Sequence, residues 1–193
     1  MPSPRQKIIL IGSGGAGKST LARALGEVLH LPVHHLDVLH WRAGWVSPTK
    51  EDWIATQKKI CVGESWIIDG NYGGTMDLRL AAADTIIFVD LPRWLCLYRA
   101  LKRALVFRGL TRPDMAAGCP ERIDAEFVQW IWNYPATRRP GILEKLERLR
   151  GRKEIIILKT KRELSAFLIT IGRDATPISP DSPGRYGFQG LGN

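Results

Sequence analysis

Gly12-Ser-Gly-Gly-Ala-Gly17-Lys18-Ser19 is the stretch on which the reading of the whole chain turns. It matches, at every fixed position, a glycine, four free positions, then Gly-Lys-Ser/Thr. Glycines let the backbone fold tightly enough for successive amide N–H groups to converge on an anion. A helix that starts directly afterwards adds the positive end of its dipole. The flanks agree with this. Lys7-Ile-Ile-Leu-Ile-Gly12 is a short β-branched run that reads as a buried strand. Leu21, Ala24, Leu25, Val28 and Leu29 recur at helical spacing until Pro32. The competing reading is an ordinary glycine-rich turn between strand and helix, and motif and context together argue against it. The stretch therefore reads as a nucleoside-triphosphate loop, with ATP and Mg2+ as the implied cofactors. Gly12, Ser13, Gly14, Gly15, Ala16 and Gly17 form the cradle. Lys18 faces the β- and γ-phosphates, the Ser19 hydroxyl holds the metal, and Thr20 reaches an inner phosphate.

Outward from the loop, apolar strands alternate with helices. Val33 to Leu36 reads as a second strand with Asp37 at its end, and Ser65 to Asp69 as a third. Asp84 to Asp90 reads as a fourth and Glu154 to Leu158 as a fifth. The helices expected between them run over Pro48–Cys61 with a Thr49 cap, Thr75–Ala83, from Pro92 to about Phe107, and Arg162–Ile171. This alternation predicts an α/β fold with a five-stranded parallel sheet flanked by helices and right-handed crossovers. Residues 1–174 read as one domain, with a lid-like insertion at about 109–140 containing a helix from Pro120 to about Trp132. Residues 175–193 are rich in Pro, Ser and Gly and read as a disordered tail.

The acidic residues narrow the chemistry. A carboxylate at the C-terminal end of a parallel strand faces the ligand crevice. Asp69 is placed there as a ligand of magnesium or its waters, against the alternative of a residue opening the Asp69-Gly70-Asn71 turn. Asp37 reads either as a group that receives the acceptor's proton or helps hold metal, or as a cap of the next segment. Arg99, Arg103 and Arg108 lie at helical spacing, and Arg138 and Arg139 follow the insertion. Arginines there suit a transferring phosphoryl group. Asn71 and Arg79 fall on the acceptor side of the Asp69 loop. Trp41 and Trp45 either stack on a base or sugar or pack their own loop. Trp66 and Trp94 read as core. His34 and His35 face opposite sides of a strand, which speaks against a shared zinc ion.

Composition bounds the rest. The chain has 193 residues, 45% hydrophobic and 24% charged, enough for one domain with a real core. Between Arg93 and Lys153 there are 14 Lys and Arg against 6 Asp and Glu; elsewhere there are 14 against 13. A basic region of this kind attracts anions, with phosphorylated small molecules preferred and nucleic acid second. Three well-separated cysteines (Cys61, Cys96, Cys119), no leader pattern and no apolar run of membrane length point to the cytoplasm.

With these residues in place, the chain resembles the bacterial DNA topology modulation proteins of the FlaR type, which are grouped with adenylate kinase-related kinases. The resemblance rests on the loop, Leu36-Asp37, Trp66-Ile-Ile-Asp-Gly70-Asn-Tyr72, Asp84 to Pro92, Arg112-Pro-Asp, Gly118-Cys119, Glu121 and Trp130-Ile-Trp132. It covers roughly residues 7 to 170 and implies a nucleotide- and shikimate-kinase fold with a mobile lid. By that resemblance Asp69 lies near magnesium, Asp37 near the acceptor, and Arg99 and Arg103 enter the lid. Arg138 or Arg139 would return from the lid to the phosphates. The chain departs from adenylate kinases after Asp-Gly: Gly73 stands where they carry an arginine for the acceptor nucleotide, and Arg79 is the candidate substitute. The expected activity is phosphoryl transfer from ATP to a nucleotide or other small metabolite. The alternative is a nucleic-acid-associated ATPase using the basic insertion.

Overall fold

The computed structural model describes residues 5–175; residues 176–193 of the expected tail lie outside them. The apolar runs become β1 (Lys7–Gly12), β2 (Val33–His35), β3 (Trp66–Asp69), β4 (Thr85–Val89) and β5 (Glu154–Leu158). They pair in parallel in the order β2-β3-β1-β4-β5. β3 and β4 are buried at every residue, as strands covered on both faces must be. Because β1 lies between β3 and β4, the ends of these three strands open on one crevice, where α/β sheets bind ligands.

Among the described residues eight α-helices flank the sheet: α1 (Lys18–Leu29), α2 (Leu36–His40), α3 (Lys50–Val62), α4 (Met76–Ala82), α5 (Arg93–Val106), α6 (Ala125–Thr137), α7 (Arg139–Leu149) and α8 (Lys161–Ala175). One core layer joins Leu21 and Leu25 of α1, Cys96 and Ala100 of α5 and Ile171 of α8 to the sheet. The other joins Trp53 of α3, Leu80 of α4 and Ile142 and Leu146 of α7 to the opposite face. Trp130 of α6 packs against both layers.

Local chemistry explains the boundaries. The Thr49 hydroxyl accepts from the Asp52 amide at 3.1 Å and caps α3 as predicted. Pro92 stands at the N-cap of α5. Four expectations change. β2 stops at His35, so Asp37 lies in the first turn of the short α2 rather than at a strand end. The helix expected from Pro120 begins instead at Ala125, because the Asp124 carboxylate caps it by accepting from Phe127 N at 2.8 Å. Pro140, read as the end of the insertion, lies in the first turn of α7, where a missing N–H costs nothing. Trp66 is 1% exposed, but Trp94 is 64% exposed on the outer face of α5 and is not core.

Candidate active site

The loop after β1 is seated on its neighbours by glycine. At Gly12 φ is +149° and at Gly15 +74°. A Cβ on Gly12 would come within 2.3 Å of the Val89 carbonyl oxygen, and one on Gly15 within 2.1 Å of the Cys96 carbonyl oxygen. No other residue lets the loop lie this close to β4 and α5. Two cations fold over it. The Lys18 ammonium donates to the Ser13 carbonyl at 2.9 Å, and Arg99 reaches from α5 to the Ala16 carbonyl at 3.3 Å. Ser19 follows in the first turn of α1, and Thr20 is exposed beside it.

Strand register brings the acids to the same crevice. Asp69 is opposite Leu10 of β1 and His35 of β2. Its Oδ2 lies 2.9 Å from His35 Nδ1. Its Oδ1 is buried with no protein partner, although the residue is only 5% exposed. Asp114 arrives from the segment between α5 and α6, where its Oδ2 lies 3.2 Å from Arg112 Nη1. Burial works to raise the Asp114 pKa, but the Arg112 guanidinium holds it below the usual carboxylate value. These residues fit a magnesium ion. A hydroxyl and carboxylate oxygens are the hard donors it takes, and Asp69 Oδ1 is an orphaned acceptor in a buried place. Among the described residues no group of three His, Cys, Asp or Glu side chains forms a cage of its own.

Asp37 lies in the first turn of α2, directly after β2. Its Oδ1 accepts from the Tyr72 hydroxyl at 2.8 Å. Burial and the Asp37 charge push the Tyr72 pKa up, so the phenol stays a donor. His40 stands among rings, 4.8 Å from Trp41, 4.6 Å from Trp53 and 4.6 Å from Tyr72 between centroids. Trp41 packs edge-on against Trp45 at 5.3 Å, and both rest on Met115, Ala116 and Cys119.

Asn71 and Arg79, expected on the acceptor, have other work. Asn71 clamps the loop: its Nδ2 donates to the Gly12 carbonyl at 2.7 Å and its Oδ1 accepts from the Gly12 amide at 3.0 Å. Arg79 is fully buried. It donates to the carbonyls of Gly70 at 2.7 Å and Tyr72 at 3.0 Å, and to that of Asn71. Burial lowers its pKa to about 10, so it remains charged at neutral pH. Both residues shape the turn between β3 and α4.

Similarity searches add the following. No family model and no curated protein matches the sequence. Among solved structures, a shikimate kinase from Acinetobacter baumannii in complex with shikimate superposes with a TM-score of 0.58. It is 16% identical over 86% of this chain and 90% of that one. The chain has the α/β P-loop NTPase fold. A gluconokinase from Sinorhizobium meliloti 1021 also aligns, with 18% identity over 89% of this chain and 95% of that one and a TM-score of 0.48. A sugar kinase from Janibacter sp. HTCC2649 aligns with 17% identity over 91% and 100% and a TM-score of 0.47. At such identities the likeness is one of fold.

Within that fold the remaining arginines divide. Arg103 pairs with Glu121 at 2.9 Å, which also pairs with Arg112 at 2.5 Å, so Arg103 anchors the insertion rather than facing the loop. Arg139 is held by both oxygens of Asp90, at 2.9 Å each, so its charge is matched at the end of β4. Arg138 is exposed and borders a groove along α6 with Gln129 and Asn133. Of the expected arginines, only Arg99 is seen bonded to the phosphate loop. Sequence reading missed His35 and Asp114. For Asp114 a signal existed, since Arg112-Pro-Asp is an arginine and an acid joined by a rigid turn in the middle of a basic stretch.

Proposed function

We propose that this protein is an ATP- and magnesium-dependent kinase that transfers the γ-phosphoryl group to a hydroxyl of a small-molecule acceptor, working in the cytoplasm. The observation that supports this reading is a carboxylate tied to the phosphate loop. Lys18 and Arg99 bond to the loop's carbonyls, and Asp37 accepts from Tyr72, whose neighbour Asn71 bonds to Gly12 of the same loop. Magnesium held by Ser19 and Asp69 would neutralise charge on the phosphates. Lys18 and Arg99 would stabilise the charge spread over the transferring group. Asp37 would accept the acceptor's proton as the new O–P bond forms and the bond to ADP breaks. The shared fold supports the class of protein, and the residues support the chemistry. Arg79, the candidate substitute for the arginine that Gly73 replaces, is bound to backbone carbonyls.

The topology-modulation resemblance keeps a nucleic-acid-associated ATPase as the alternative. The basic region supports it less than its charge suggests. Arg103, Arg112, Arg139, Lys145, Arg148 and Arg150 all sit in ion pairs.

Transfer from γ-labelled ATP·Mg tests the reading. The acceptor panel holds nucleosides, nucleoside monophosphates, small hydroxy-metabolites and 5′-hydroxyl oligonucleotides. We expect a labelled small molecule, and Lys18→Ala should abolish its formation while the circular-dichroism spectrum is unchanged. Full transfer by Lys18→Ala would sink the mechanism. A labelled oligonucleotide would move the function to nucleic acid.

A further inference from the structure

Three consecutive residues at the end of β2 reach across to the end of β3. His35 stands opposite Asp69 in the strand register, and its Nδ1 lies 2.9 Å from Asp69 Oδ2. Leu36 is fully buried against Gly70, where an added Cβ would come within 2.8 Å of the Leu36 Cβ. Asp37 Oδ1 accepts from the Tyr72 hydroxyl at 2.8 Å. One short stretch therefore fixes both acids that the proposed reaction uses, Asp69 for the metal and Asp37 for the acceptor. The reaction so far gives His35 no part.

His35 engages only half of its partner. A carboxylate accepts and does not donate, so the proton of this bond sits on Nδ1. The side chains of His35 and Asp69 are 13% and 5% exposed. The second oxygen of Asp69, Oδ1, is buried with no protein partner. Leaving such an oxygen unpaired is costly, and native structures keep one where an ion, a ligand or water completes it. The last torsion of an aspartate is soft, so the carboxylate plane has to be set from outside. The hydrogen bond to His35 sets it, because Oδ2 is engaged and Oδ1 is the oxygen left over. The imidazole is itself well placed to do so. Pairing of β2 with β3 fixes its backbone on one side, and the packing of Leu36 against Gly70 fixes it on the other.

We infer that His35 is a positioning residue of the magnesium site: it holds Oδ2 of Asp69 and so sets the plane in which Oδ1 meets the cation or a water of its shell. This rests on the kinase reading. A partner behind a metal ligand matters because it fixes the ligand's orientation, and its loss typically weakens metal binding by about ten- to a hundredfold. His35 has no bond to the phosphate loop among those described, so nucleotide binding without metal does not depend on it.

The test is titration of Mn2+ in the presence of ADP, with the free ion read by electron paramagnetic resonance, on the full chain. The variants are His35→Leu, which removes the donor, and His35→Asn, whose amide N–H stands close to the place of the imidazole Nδ1. His35→Leu should bind Mn2+ about tenfold more weakly or worse, and His35→Asn should recover most of that loss. ADP affinity in EDTA should be unchanged in both. In an Asp69→Asn background His35→Leu should have no further effect on Mn2+, because the two act as one unit. Should His35→Leu fail to fold by circular dichroism, His35→Ser takes its place, since serine is well tolerated at the head of a helix and is too short to reach Asp69. Wild-type Mn2+ affinity in the folded donor-less variant would overturn the inference and leave the kinase reading standing. So would an equal loss in His35→Asn, or a loss of ADP binding with and without metal alike, since either describes a residue that only supports the fold. A wild type that binds no Mn·ADP would overturn both.

Discussion

Arg79 shows what a single side chain does to a site it never touches. Tyr72 has φ +37°, a region that disfavours any side chain, and the turn around it leaves the carbonyls of Gly70, Asn71 and Tyr72 to be satisfied. One guanidinium donates to all of them. That fixes Tyr72 against Asp37 and Asn71 against Gly12. An unsatisfied buried carbonyl costs about 1–3 kcal/mol, so Arg79→Leu should lose at least about 3 kcal/mol of stability in urea unfolding. A loss under about 1 kcal/mol would show that the turn holds without it. Spacing alone did not reveal this role. An arginine four residues past a glycine-rich turn reads the same whether it faces backbone or ligand, and only its burial tells the two apart. The phosphate loop was legible because its physics is local. Each glycine, the lysine and the serine act through their own backbone position or the helix that follows.

At the scale of elements, the departures from expectation lie where long-range packing decides. α6 was read as part of a mobile insertion, yet Ile131 is fully buried and Phe127 lies over Gly14, where an added Cβ would be 2.7 Å from its ring. Residues 125–137 thus belong to the wall of the site, and the irregular segment is 109–124. No periodicity within α6 states which neighbour it meets. The same packing sets the cost of altering the loop. Gly15 has both a left-handed φ and the Cys96 carbonyl against it, so Gly15→Ala must move α5 or the loop. We expect Gly15→Ala to keep its sheet by circular dichroism and to lose nucleotide binding by at least about tenfold, or about 1.4 kcal/mol, in calorimetry. Unaltered affinity would mean that the loop is not held as described.

Over the whole molecule, the parallel pairing of the strands was implied by alternation of strand and helix, whereas their order and the closure across the crevice were not. The 41–46 loop and the 109–124 segment meet through Gly44 N to Gly118 O at 3.0 Å and Cys119 Sγ to Arg42 O at 3.1 Å, contacts between stretches with no local signature. The crevice they enclose also governs how the molecule responds to acid. Burial lowers the pKa of His34, with His35 adding to the effect. Burial lowers that of His40 too, with Asp37 opposing it. A folded-state pKa below the unfolded value means that the unfolded chain binds protons first as pH falls. Their contribution to stability is thus complete above the unfolded value, about 6.5, and is lost as pH falls through the lower folded values. Glu154 is pulled down by its hydrogen bond from Arg5, so its contribution lasts to lower pH and goes below the ordinary carboxylate range. Unfolding free energy measured in urea should be flat from about pH 8 to 7 and then decline from about 6.5. His40→Phe keeps a ring among Trp41, Trp53 and Tyr72 and removes the proton site. Combined with His34→Val, it should flatten the decline between about pH 6.5 and 5 while leaving the later carboxylate step in place. An identical decline in the double variant would place the acid sensitivity in other groups than these two histidines.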